Sequence, residues 1–154
     1  MDNLESTKKR ALKILGNRSF SEKEMYDRLT SKGESQENSE ETVAWLVSLG
    51  YINDETYALQ IVEHYSYKGY GPARVRDELY RRGIPRDLWD SVLTAVDDDG
   101  TIDAAIAFLS KKLRGSFDEN DIRKARDALV RRGFSYDDAK LAVTKYLESE
   151  GSYE

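Results

Sequence analysis

Apolar side chains recur three and four residues apart along most of the chain. Nowhere do they alternate at period two for long enough to make a strand, so the pattern predicts an all-α fold. Residues 1–9 read as a frayed lead-in, and a short helix begins near Arg10 with Ala11, Leu12, Ile14 and Leu15. Ser21 and Glu24 form a capping box in front of Met25 and Leu29. Residues 34–38 read as a polar loop, after which Asn38 and Glu41 form a second box opening a helix with Val43, Leu46 and Val47 inward and Trp45 beside them. Asn53 or Asp54 caps a helix carrying Tyr57, Ala58, Ile61, Val62 and Tyr65 on one face. In the stretch KGYGPARVRDELYRRGIP, Lys68 to Pro85, Gly71 is a turn and Pro72 suits a first helical position, where its missing N–H leaves nothing unpaired. Pro85 opens a helix to Val96 with Leu88, Trp89, Val92 and Val96 inward, and residues 97–100 break the pattern. Three further helices carry Ile102, Ala105, Ile106 and Leu109, then Ile122, Ala125 and Leu129, then Ala139, Ala142, Val143 and Tyr146 behind a Ser135 cap. Residues 115–120 form the loop between the first two of these, and residues 149–154 read as a tail.

The central pattern occurs three times at a fixed spacing. Gly33, Gly83 and Gly133 stand in register, as do Leu29, Leu79 and Leu129, and Asp27, Asp77 and Asp127. A basic residue precedes each glycine: Lys32, Arg82 and Arg132. Repeats with the helix stop in register indicate duplicated supersecondary units. The reading is three tandem three-helix repeats, 10–50, 51–97 and 101–148, in an elongated, curved, solenoid-like arrangement. Helices roughly 10–12 Å across would make such a stack on the order of 60–75 Å long.

The 154 residues suffice for one domain or for several small units sharing a core. No cysteine is present, which removes disulfides and thiolate chemistry and fits a reducing cytoplasm. No apolar run approaches the roughly 20 residues of a bilayer span, and the start MDNLESTKKR lacks the apolar core of a leader, so a cytoplasmic chain without a membrane partner is expected. Net charge is −5, which disfavours a nonspecific nucleic-acid binder. The charge is nevertheless unevenly spread. Between Gly33 and Tyr67 there are seven acids (Glu34, Glu37, Glu40, Glu41, Asp54, Glu55, Glu63) and no Lys or Arg. Between Lys111 and Arg132 eight basic residues face four acids, a polarity that suits a charged partner surface.

Candidate chemistry is sparse. His64 is the only histidine, so no zinc set of nitrogen and sulfur ligands can form around it. The run DDDG at 97–100 lacks the alternate spacing and distal glutamate of a calcium loop. No serine is flagged as a nucleophile, and the glycines stand singly at helix ends rather than in a phosphate-cradling loop. The expectation is no enzyme, no metal and no cofactor. A DNA-reading helix-turn-helix is disfavoured as well. The helices after the corners begin Arg86-Asp87-Leu88-Trp89-Asp90 and Tyr136-Asp137-Asp138, whose carboxylates would face phosphates. The basic residues sit on the helix before each corner, and Tyr67, Tyr70 and Tyr80 could mark a contact surface beside them.

Three further features stand out. Gly50-Tyr51-Ile52-Asn53-Asp54 followed by Tyr57-Ala58 is one. Lys68-Gly69, Arg74-Val75-Arg76, Glu78-Leu79 and Arg82-Gly83-Ile84 form the second, and the three-unit register is the third. Together, over about Arg10 to Leu147, they resemble the RecX family of bacterial RecA regulators. The resemblance implies a non-enzymatic, monomeric protein that binds the RecA–DNA filament in its helical groove. There it would inhibit ATP hydrolysis and strand exchange in recombinational DNA repair. It carries Lys68, Arg74, Arg76 and Arg82 over as partner contacts, and the repeat register adds Arg81, Arg126, Arg131 and Arg132. Weak binding of single- or double-stranded DNA through the same helices is the alternative.

Overall fold

The computed structural model describes residues 3–94, 96 and 98–151, and among them it is all-helical. The helices are α1 (Leu4–Leu15), α2 (Glu22–Ser31), α3 (Gln36–Ser48), α4 (Asp54–Tyr67), α5 (Pro72–Arg81), α6 (Trp89–Leu93), α7 (Asp98–Leu113), α8 (Glu119–Arg131) and α9 (Tyr136–Gly151), with a 3-10 turn at Arg86–Leu88.

Local chemistry sets most of the starts. The Asn3 side chain accepts from Ser6 N (2.8 Å) at α1. The reciprocal box at α2 is complete, Glu24 N donating to Ser21 Oγ (3.0 Å) and Ser21 N to Glu24 Oε1 (3.1 Å). Asn53 Oδ1 accepts from Thr56 N (3.1 Å) at α4, Asp118 Oδ1 from Asn120 N (2.9 Å) at α8, and Ser135 Oγ from Asp138 N (3.0 Å) at α9. Each satisfies an amide that the helix itself leaves without a partner.

The stops repeat. Gly33, Gly83 and Gly133 have φ of 95°, 76° and 101°, the left-handed region where a side chain is strained. At each corner the next amide reaches back over the last turn: Glu34 N to Leu29 O (3.1 Å), Ile84 N to Leu79 O (3.0 Å) and Phe134 N to Leu129 O (3.1 Å). This is the Schellman arrangement. Leu29, Leu79 and Leu129 are fully buried beneath the three corners.

The chain packs as two compact units, Met1–Leu59 with Leu79–Trp89, and Gln60–Glu78 with Asp90–Glu154. In the first, Ala11, Ile14, Phe20, Met25, Leu29, Val43, Leu46 and Ile52 form the core. In the second, Ala105, Leu109, Leu113, Ala125, Leu129, Phe134, Ala139, Ala142 and Tyr146 do so.

Several boundaries differ from the expectation. The segment expected to be a lead-in is largely α1, whose Thr7 is fully buried and donates to Glu34 Oε2 (2.7 Å). Residues 34–38 are not a free loop: Ser35, not Asn38, caps α3, accepting from Asn38 N (3.0 Å). The buried face of α3 is Ser39, Thr42, Val43 and Leu46, and Val47 is 40% exposed. The helix expected from Pro85 to Val96 is a 3-10 turn followed by the short α6. The acidic run at 97–100 does not break the pattern beyond Asp97, which lies outside the described residues. Asp98 and Asp99 form the first turn of α7, where carboxylates complement the helix dipole. The helical chain also continues through the expected tail as far as Gly151.

Candidate partner-binding surface

The eight candidate cations divide by what their side chains meet. Arg82, Arg132, Arg74 and Arg126 are half-buried, whereas Lys68, Arg76, Arg81 and Arg131 are exposed.

In the first unit, Arg82 locks the end of α5 to the starts of α2 and α4. Its carbonyl accepts from the Ser21 hydroxyl, and its Nη1 donates to Tyr57 Oη (2.9 Å). Arg18 completes the network, donating through Nη1 to Tyr57 Oη (3.3 Å) and through Nη2 to Glu24 Oε2 (3.2 Å), with its guanidinium 3.8 Å from the Phe20 ring centre. Burial pushes the Tyr57 phenol above its usual range, against the lowering effect of Arg82, so it stays neutral and able to donate. The corner glycine is part of the joint: a Cβ on Gly83 would meet Lys23 Cβ at 2.7 Å.

The second unit builds the same joint one repeat on. Arg132 O accepts from Gly71 N (2.8 Å) and Gly133 O from Ala73 N (3.0 Å), placing the α8 corner against the start of α5. Arg132 Nε donates to Gly69 O (3.1 Å) and its Nη2 to Lys68 O (2.9 Å). The Arg132 guanidinium lies 4.3 Å from the Tyr70 ring centre and 5.1 Å from that of Phe108. Arg74 stands 5.1 Å from Tyr70 and pairs with Glu78 (3.3 Å), while Arg126 lies 5.7 Å from the Tyr136 ring. Arg132 is held by rings and carbonyls of its own unit, Arg74 by rings and the Glu78 carboxylate, and Arg126 lies near a ring.

The exposed cations are differently placed. Lys68 follows the last turn of α4 and Arg131 closes α8. Arg76 stands at a cavity of about 200 Å³ that Val62, Ser66, Tyr70, Val75 and Phe134 help to line. Of the tyrosines flagged beside them, Tyr67 and Tyr80 are 93% and 69% exposed, and Tyr70 is the half-buried platform of the Arg132 joint.

Two groups are not marked by the sequence pattern. Arg18 carries none of the repeat register, although its place two residues before an aromatic at a helix start was a usable signal. Glu34 and Asp54 were counted in the acidic stretch, yet each is 7% exposed. Glu34 meets Arg10 (3.4 Å) and Thr7, and Asp54 Oδ1 accepts from Glu22 N (2.9 Å). They are internal caps rather than part of a solvated acidic face.

The described residues thus form a helical-repeat protein whose three-helix domains are joined through glycine corners and arginine forks. Residues 8–46 match the family model described as the first three-helix domain of RecX, and residues 53–93 the model of the second. A regulatory protein RecX from Xanthomonas campestris pv. campestris (strain B100) is 31% identical over 90% of this chain and 86% of its own length. One from Legionella pneumophila (strain Corby) is 32% identical over 82% and 85%. The crystal structure of RecX from Lactobacillus salivarius superposes with a TM-score of 0.84 at 24% identity, covering 93% of this chain and 96% of that one. The chain belongs to the RecX family of regulatory proteins. No helix among the described residues is long and apolar enough to cross a membrane.

Proposed function

We propose that this protein acts in the cytoplasm as a monomeric, non-enzymatic regulator of the RecA recombinase. It docks along the helical groove of the RecA–DNA filament and damps ATP hydrolysis and strand exchange. Similarity to proteins named regulatory protein RecX over about nine-tenths of the chain carries this reading. The exposed cations Lys68, Arg76, Arg81 and Arg131 supply its contacts with the filament. Arg74, Arg82, Arg126 and Arg132 act one step back, holding the helices that present them.

The test is a titration of preassembled RecA–single-stranded DNA filaments, read as the rate of ATP hydrolysis. Suppression below one molecule per RecA subunit is expected, because a protein spanning adjacent subunits silences more than one. Charge reversal at Lys68, Arg76, Arg81 and Arg131 together should abolish it. No suppression by the unmodified protein at large excess would sink the RecA reading. Persistent suppression by the reversed variant would sink this surface.

A further inference from the structure

The turn between α4 and α5 is fixed from one side and presented on the other. Its carbonyls at Lys68 and Gly69 are both taken by the Arg132 fork, and the amide of Gly71 is taken by the Arg132 carbonyl. Below it the backbones touch: a Cβ on Gly71 would lie 2.4 Å from Gly133 C and from Phe134 N. Tyr70 turns inward under the guanidiniums of Arg132 and Arg74. On the outer side Tyr67 is 93% exposed and Lys68 is exposed beside it.

An exposed tyrosine on a slack loop would call for no explanation. On a turn held at three backbone positions, the ring is offered from a fixed base, so little backbone freedom remains to be lost on binding. We propose that Tyr67 and Lys68 form a docking knuckle. The Tyr67 ring enters an apolar slot on a protein partner, and the Lys68 ammonium meets a carboxylate at the rim of that slot. A protein fits better than a nucleic acid because the guanidiniums at this turn, those of Arg74 and Arg132, are turned onto Tyr70, Glu78 and backbone carbonyls. The preceding turn offers Glu63, which phosphates would repel. The inference rests on the filament reading above and names one anchor within it.

The experiment measures binding of the full chain to RecA–single-stranded DNA filaments and, separately, to bare single-stranded DNA. Tyr67→Ala should weaken filament binding by at least roughly tenfold, as truncation of an aromatic anchor does, and Tyr67→Phe should restore it. Lys68→Glu should weaken it too. The thermal midpoint of Tyr67→Ala should match the unmodified chain, since so exposed a ring holds nothing together. Equal filament binding by the unmodified and Tyr67→Ala chains would overturn the knuckle and leave the filament reading standing. Failure of the unmodified chain to bind filaments would overturn both. A loss with Tyr67→Ala that is equally large on bare DNA would reassign the ring to base stacking, against this proposal.

Discussion

At the residue scale, two side chains sit where the fold works against them. Arg114 ends α7 with φ of 48°, a left-handed conformation that costs an L-residue roughly 1–2 kcal/mol. Its side chain is exposed, so no buried packing repays that cost. Arg114→Gly should raise the free energy of unfolding by about 1 kcal/mol, offset in part by the freer unfolded chain, as a shift in urea midpoint would show. Glu22 opens α2, where the helix dipole favours a carboxylate. Burial, followed by the charge and hydrogen bond of Asp54, nevertheless raises its pKa above the ordinary 4.5. A raised pKa on an acid means that the folded state disfavours the ionised form. The penalty is full above the folded pKa and relieved as pH falls through it. Glu22→Gln should therefore stabilise the protein near pH 7, and that advantage should fade as pH falls through the raised pKa and be largely gone below pH 4.5. Urea unfolding of both proteins at the two pH values checks the sign; a constant difference would mean that ionisation of Glu22 is not its cause.

At the scale of elements, glycines do two separate jobs that substitution can tell apart. Gly71 needs no left-handed conformation, but there is no space for a Cβ against the Gly133 carbonyl carbon and Phe134 amide, neither of which can move without opening the α8 corner. Gly33 is the reverse: φ is 95° and nothing lies within 4 Å. Gly71→Ala should cost about 3 kcal/mol through overpacking, and Gly33→Ala about 1 kcal/mol through backbone strain alone. Equilibrium unfolding of the two variants decides between these mechanisms, and equal losses would argue against the backbone contact at Gly71. Glycine corners and the Ser21–Glu24 box were legible in the sequence because their causes are local and lie within one helix turn. The starts of α1 and α3 were not. Thr7 and Ser39 look solvated when read alone and are fully buried in the fold. The long reach of Thr7 to Glu34, 27 residues away, is what makes α1 more than a lead-in.

At the scale of the whole molecule, an acidic chain must concentrate what positive surface it has, and adjacent arginines show how it is divided. Arg131 and Arg132 are neighbours at the end of α8, the first its last residue and the second its cap, separated by about a hundred degrees around its axis. Sequence register treats them alike. The fold does not, because only Arg132 meets the α4–α5 turn, where its fork holds two carbonyls and its plane covers Tyr70. That distinction was illegible in the sequence, since it depends on which element packs against which side of α8. Arg132→Ala should lower stability by about 2–3 kcal/mol, at roughly 1–1.5 kcal/mol for each hydrogen bond lost. Arg132→Lys should not restore it, because an ammonium offers neither the planar fork nor the stacking face. Arg131→Glu should change stability by less than about 0.5 kcal/mol, as exposed substitutions do, yet reduce suppression of filament ATP hydrolysis. Unfolding curves and hydrolysis titrations on the same three preparations separate the roles. Should Arg131→Glu unfold as readily as Arg132→Ala, the division into holding and contacting arginines fails. Should it instead fold normally and suppress hydrolysis fully, Arg131 is not a contact, and the proposed contacts reduce to Lys68, Arg76 and Arg81.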